Sequence, residues 1–128
     1  MPPSLHQSLL MVTELEESTA FYRDTVGLAV DREADGNVEF DTGQATLVLE
    51  SDFEPDVLDA FGLDDPGDER GRGVIVAIEV DGPDAVDEVC EAVPDEDVRL
   101  APTDVDWGRR MAIVSDPDDY AVEISAPL

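Results

Sequence analysis

Apolar positions along the chain follow two rhythms, and the rhythms come round twice. Residues 7–12 (Gln-Ser-Leu-Leu-Met-Val) are a mostly apolar run of strand length. Thr13 with Glu16 three residues on has capping-box spacing and predicts a helix start. Leu15, Ser18, Tyr22 and Val26 then share one helical face, joined by Phe21, and Gly27 supplies a stop. Strand signals follow at 29–34, 37–41 and 45–51, broken by Asp35-Gly36 and Thr42-Gly43; the Asp-Gly pair is a hairpin signal. Residues 52–72 break the pattern. They are dense in Asp, Pro and Gly, hold one short helical possibility at Pro55–Phe61, and read as an acidic linker or lid.

The order then recurs. Val74, Val76, Ile78 and Val80 alternate within Gly73–Asp81, as in a half-buried strand. Pro83 suits a first helical turn, and Val86, Val89, Cys90 and Val93 make an i, i+3, i+4, i+7 stripe. Cys90 on that stripe reads as a packed thiol. Strands follow near 97–103, 109–115 and 120–125, with Asp116-Pro-Asp-Asp119 as the last turn. An offset of 68 places Gln7 on Ile75, Val12 on Val80 and Leu15 on Pro83. The predicted fold is α+β: two βαβββ modules, residues 5–51 and 73–126, within one domain spanning 1–128. Their strands are expected to form a curved eight-stranded mixed sheet around a concave pocket, lined by the faces that carry no helix.

Charge changes the picture of where such a fold is stable. The 128 residues hold 33 Asp and Glu against 7 basic residues, all Arg, for a net charge of −26. Anionic backbones and lipid surfaces would repel this chain, so nucleic-acid and membrane partners are not expected. In ~1 M salt the Debye length falls to about 3 Å, which screens the self-repulsion and points to a salt-adapted protein. No leader or apolar span is visible, and the expectation is a cytoplasmic location. One cysteine and one histidine, His6, exclude an intrachain disulfide, a Cys-rich zinc cluster and any site needing two imidazoles from one chain.

Particular residues narrow this further. Val12-Thr-Glu-Leu-Glu-Glu-Ser18, then Phe21-Tyr22-Arg-Asp and Gly27-Leu28, resembles the opening of the vicinal oxygen chelate superfamily. That group includes glyoxalase I, bleomycin-resistance proteins and extradiol dioxygenases. Trp107-Gly-Arg-Arg110, Asp116-Pro-Asp-Asp-Tyr120 and Val122-Glu-Ile124 resemble its last hairpin, with Asp119 where a turn Gly is usual. Asp accepts left-handed backbone better than most residues.

The resemblance implies pocket-facing ligands on the first and fourth strand of each half in metal-using relatives. Gln7 takes the first position and Ile75, which cannot bind a metal, its second-half equivalent. Glu123 matches the last-strand carboxylate. Val48 falls on the fourth-strand position, with Glu50 one pleat further, while His6 alternates to the opposite face. The favoured reading is therefore a protein without a catalytic metal that binds a small molecule. The alternative is one divalent metal ion held by Gln7, Glu50 and Glu123 in a glyoxalase- or dioxygenase-type enzyme. A third reading is an accessory subunit with a vestigial pocket.

Glu123, facing a partly apolar pocket, reads as a general base or as an anchor for a cationic or hydroxylated ligand; pairing with Arg110 is the structural alternative. Trp107 can stack on a flat ligand, and Arg109 or Arg110 can fork onto a ligand carboxylate or form internal salt bridges. The expected ligand-contacting set is Gln7, Val48, Glu50, Ile75, Trp107 and Arg110. The resemblance also implies a homodimer.

Overall fold

A computed structural model describes residues 2–128. The chain divides into two compact units, Met1–Asp68 and Glu69–Leu128. The first contains β1 (Gln7–Val12), α1 (Leu15–Ala20), β2 (Ala29–Ala34), β3 (Asn37–Asp41), β4 (Thr46–Ser51) and α2 (Pro55–Phe61). Its four strands form one mixed sheet in the order β1-β4-β3-β2, with β1 parallel to β4 and the other pairs antiparallel. α2 occupies the helical stretch that Pro55 predicts, because Pro at the first helical position gives up an amide no helix would use. The acidic stretch also contains a short 3-10 turn, Gly67–Glu69.

α1 departs from the expected pattern at both ends. Its N-cap is Glu14, whose extended backbone presents a carbonyl to the Ser18 amide at 3.0 Å, so the helix starts one residue later than a Thr13 cap requires. Beyond Ala20 the chain widens into a π-helical segment, Phe21–Val26. The Gly27 amide accordingly reaches five residues back to the Tyr22 carbonyl at 3.1 Å. Gly27 then ends the helix in the left-handed region at φ 96°.

Strand alternation sets the first core. Leu10, Val12, Val38, Phe40, Leu47 and Leu49 are buried and lie on the face where α1 packs against β3 and β4. Tyr22 closes this layer, fully buried and tilted against Phe40 at 6.1 Å between ring centroids. Each such side chain contributes roughly 1.5–3 kcal/mol by leaving water.

The second unit contains β5 (Ile75–Glu79), α3 (Pro83–Glu91), β6 (Val98–Val105), β7 (Arg109–Ser115) and β8 (Ala121–Pro127). The sheet order is β5-β8-β7-β6, with β5 parallel to β8. The eight strands thus divide four and four between two sheets. α3 packs on β6, β7 and β8, where Val86, Ala112, Val114, Val122, Ile124 and Ala126 are all fully buried. Asp116 organises the β7–β8 turn: its Oδ1 accepts the amides of Asp118 at 2.8 Å and Tyr120 at 2.9 Å. Asp119 stands in left-handed backbone at φ 64°. Gly71 packs directly on that turn, where an added Cβ would lie 2.1 Å from the Asp119 carbonyl oxygen.

Candidate functional site

Each sheet has a helix-bearing face and an open face, and the strand registers say which residues belong to which. On the first sheet Gln7 pairs with Thr46, Leu9 with Val48 and Met11 with Glu50. On the second, Ile75 pairs with Ala121 and Ala77 with Glu123. The two parallel pairs are therefore the same construction. Gln7 corresponds to Ile75, and Val48 to Glu123, as the sequence overlay predicts. All four lie on open faces, because the intervening positions (Leu10, Leu49, Val122, Ile124) are in the helix-side cores.

Within the first unit Gln7, Val48 and Glu50 share the open face but not one place on it. Val48 is buried at 3% exposure, whereas Gln7 and Glu50 are half-buried. Gln7 stands level with Thr46, and Glu50 is four residues further along β4. At about 3.3 Å per residue this separates the two by roughly 13 Å along the strands. Glu50 Oε1 instead accepts the Asn37 side-chain amide at 3.4 Å. His6 is exposed, and its backbone carbonyl accepts the Thr46 amide at 3.3 Å.

In the second unit Glu123 is half-buried between two apolar cross-strand neighbours, Ala77 on β5 and Ile113 on β7. Among the described residues it forms no ion pair. Ile75, on the same face, is 61% exposed. Trp107 sits in the β6–β7 turn and is 68% exposed.

Arg110 is where the structure departs from the expected set. It pairs with Ala126 and so belongs to the helix-side face, away from Glu123. Its guanidinium is taken up by Asp87 of α3 at 3.0 Å and Asp104 of β6 at 2.9 Å. The bonds to Asp104 and then Asp87 hold its pKa above the ordinary arginine value. Arg110 is thus an internal tie, and its pairing with Glu123 is ruled out by strand alternation. Its neighbour Arg109 carries the cation of the open face. Arg109 donates from Nε and Nη2 to Ser125 Oγ at 3.3 and 3.2 Å, and from Nη2 to Glu79 Oε1 at 2.5 Å.

Cys90 is chemically quiet by comparison. Burial first, then the charges of Asp87, Asp95 and Glu91, push its thiol pKa up, which is the wrong direction for a nucleophile.

The chain matches the glyoxalase-like domain family over residues 5–128. It belongs to that family. Solved structures agree on the fold of this glyoxalase-like protein. A glyoxalase/bleomycin resistance protein/dioxygenase family enzyme from Burkholderia phytofirmans superimposes with a TM-score of 0.82 at 17% identity, covering 98% of this chain and 100% of that one. A hypothetical protein from S. aureus gives 0.76 at 23% identity, covering 98% and 94%. Lactoylglutathione lyase from Agrobacterium tumefaciens gives 0.68 at 25% identity, covering 98% and 95%. No curated protein matches the chain in sequence.

The donor chemistry of this glyoxalase-like chain does not fit the metal site that the resemblance implies. Each sheet carries one polar and one aliphatic side chain at the two equivalent positions: Gln7 and Val48 on the first, Glu123 and Ile75 on the second. Glu50, the substitute donor, is too far along β4 from Gln7 to share an ion with it while both side chains stand off the sheet. Among the described residues no group of three His, Cys, Asp or Glu side chains is gathered closely enough for a metal.

Proposed function

We propose that this glyoxalase-like protein binds a small amphipathic molecule without using a catalytic metal. The observation that carries the reading is that the equivalent positions of both sheets hold one aliphatic and one polar side chain each. A first-row divalent ion favours three or four convergent N, S or O donors, whereas a mixed apolar and polar face suits an organic ligand. Glu123 anchors a cationic or hydroxyl group of that ligand, and Ala77, Ile113 and Ile75 supply apolar surface on its own sheet, as Val48 does beside Gln7 on the first. Arg109, tied to Glu79 and Ser125, replaces Arg110 as the cation of the binding surface. The working form is a salt-adapted cytoplasmic homodimer, in keeping with the −26 charge and the family resemblance.

Elemental analysis of protein purified in molar salt tests the reading. It is repeated after chelator dialysis and after re-addition of manganese, iron, nickel and zinc. The expected result is no retained stoichiometric metal and a light-scattering mass of twice 13.9 kDa. Fragments detected by NMR should bind equally well with and without chelator and should move the amides around Glu123. One tightly held ion per chain would overturn the metal-free reading in favour of an enzyme. Fragments that never perturb the neighbourhood of Glu123 would remove the ligand site, and a mass of one chain would remove the dimer.

A further inference from the structure

The open face of the second sheet carries opposite charges one pleat repeat apart. Arg109 reaches over Ser125, donating from Nε and Nη2 to its Oγ at 3.3 and 3.2 Å, and from Nη2 to Glu79 Oε1. Glu123 lies two residues before Ser125 on β8 and on the same face. At about 3.3 Å per residue, the guanidinium and the carboxylate are therefore held roughly 7 Å apart along the strand. Ala77 and Ile113, both in part accessible, flank Glu123 on the neighbouring strands.

We propose that this surface binds an ω-amino acid, with its ammonium on Glu123 and its carboxylate on Arg109. The assignment rests on the ligand face proposed around Glu123 and narrows its ligand to a zwitterion of defined length.

Both charged groups have bonding capacity to spare. Glu123 is half-buried and forms no ion pair among the described residues. A carboxylate between apolar neighbours gains from a cationic partner. A guanidinium has five N–H donors. Arg109 spends those of Nε and Nη2, and both N–H groups of Nη1 have no acceptor among the described residues. Its partner Glu79 is 63% exposed, and ion pairs that open to water are weak. Ser125, buried at 5% exposure, positions the guanidinium independently of Glu79.

The spacing selects among ligands. A lone ammonium satisfies Glu123 and leaves Nη1 unused. A lone carboxylate meets Nη1 with Glu79 and Glu123 both nearby to repel it. An α-amino acid holds its charges too close together to span a pleat repeat. An ω-amino acid with three or four methylenes reaches both groups, and its chain lies against the apolar surface of Ala77 and Ile113.

The test is a length series titrated into the 15N-labelled protein: glycine, β-alanine, 4-aminobutanoate, 5-aminopentanoate and 6-aminohexanoate. Butylammonium and butyrate are the single-charge controls. At ~1 M salt a Debye length of about 3 Å removes diffuse attraction to the acidic surface and leaves contact pairing in place. Saturable shifts should appear at the amides of Ala77, Arg109, Ile113, Glu123 and Ser125. Binding should be tightest with 5-aminopentanoate, and at least several-fold weaker with glycine, β-alanine and both controls.

Two glutamates on this face should then act with opposite signs. Glu123→Gln removes the ammonium anchor and should weaken 5-aminopentanoate by about fivefold or more. Glu79→Gln removes the competitor for Arg109 and should tighten it by about two- to fivefold, the range of an exposed ion pair. Both variants keep the side-chain shape, and their spectra verify the fold. Butylammonium binding at Glu123 as tightly as 5-aminopentanoate would overturn the zwitterion and leave the ligand face standing. A series without a length optimum, or weaker binding in a folded Glu79→Gln variant, would do the same. Absence of any shift around Glu123 from every probe and fragment would remove the ligand face and this inference together.

Discussion

The two modules are built on one strand register and stabilised differently. Gln7↔Thr46 and Ile75↔Ala121 begin equivalent parallel pairs, and in each a helix covers one face. The first module carries 17 acidic side chains against Arg23 and Arg32, a net charge of −15. The second carries 16 against five arginines, a net charge of −11. Three of those five hold separate elements together. Arg99 donates to Ser115 Oγ and to the Asp119 carbonyl, Arg109 to Ser125 and Glu79, and Arg110 to Asp87 and Asp104. In the first module Arg23 forks onto its chain neighbour Asp24. The same architecture can thus do without arginine ties between its elements, or add them between strands, helix and turn.

Dilution of salt should expose this difference most strongly. From ~1 M to ~0.1 M salt the Debye length grows from about 3 to about 10 Å, so repulsion within each module returns. Hydrogen exchange measured across that range should show protection falling first in β1–β4 and later in β5–β8, with the melting temperature dropping by about 10 °C or more. Simultaneous loss in both modules would mean that the arginine ties do not offset the charge. A melting temperature insensitive to salt would remove the salt-adapted reading altogether.

Much of this architecture was legible because most of its signals are local. β2, β3 and β7 occupy the predicted residues, and α2 runs from Pro55 to Phe61 as its proline implies. The equivalence of Val48 with Glu123 followed from overlaying Leu47-Val-Leu49 on Val122-Glu-Ile124, whose registers correspond. The face of the arginines was not legible. β7 reads Arg-Arg-Met-Ala-Ile-Val-Ser, apolar on both sides, so alternation could not say whether Arg109 or Arg110 points toward the helix. The π-helical turn was equally hidden, since Leu15, Ser18, Tyr22 and Val26 satisfy an ordinary helical period. The organisation of strands into two sheets depends on long-range pairing that no local window contains.

Two buried serines sharpen the comparison at the next level of effect. Ser115, in the second module, accepts from Arg99 Nε at 2.7 Å. Ser115→Ala would leave that guanidinium nitrogen without its acceptor and should cost about 1–2 kcal/mol. Ser18, in the first module, is fully buried and its hydroxyl has no partner among the described residues. Ser18→Ala removes an unsatisfied polar group and should stabilise by about 1 kcal/mol. Denaturant unfolding of both variants gives the two signs directly. If Ser18→Ala is the more destabilising of the pair, the contrast between packed and tied modules is wrong at its most specific point.

The smallest difference lies in the last hairpin of each module. The β3–β4 turn places Gly43 in left-handed backbone at φ 89°, and the β7–β8 turn places Asp119 there at φ 64°. Glycine relieves the steric conflict of that region but adds freedom to the unfolded chain, and the two effects oppose each other. Asp119 also makes its key contacts through backbone atoms: its amide donates to the Asp116 carbonyl at 3.0 Å and its carbonyl accepts Arg99 Nη2 at 2.8 Å. Glycine keeps both. Asp119→Gly should therefore change stability by less than about 0.5 kcal/mol, whereas Asp119→Val, β-branched at positive φ, should lose about 1–2 kcal/mol. Equal effects from the two substitutions would show that the aspartate side chain, rather than the turn geometry, holds this corner.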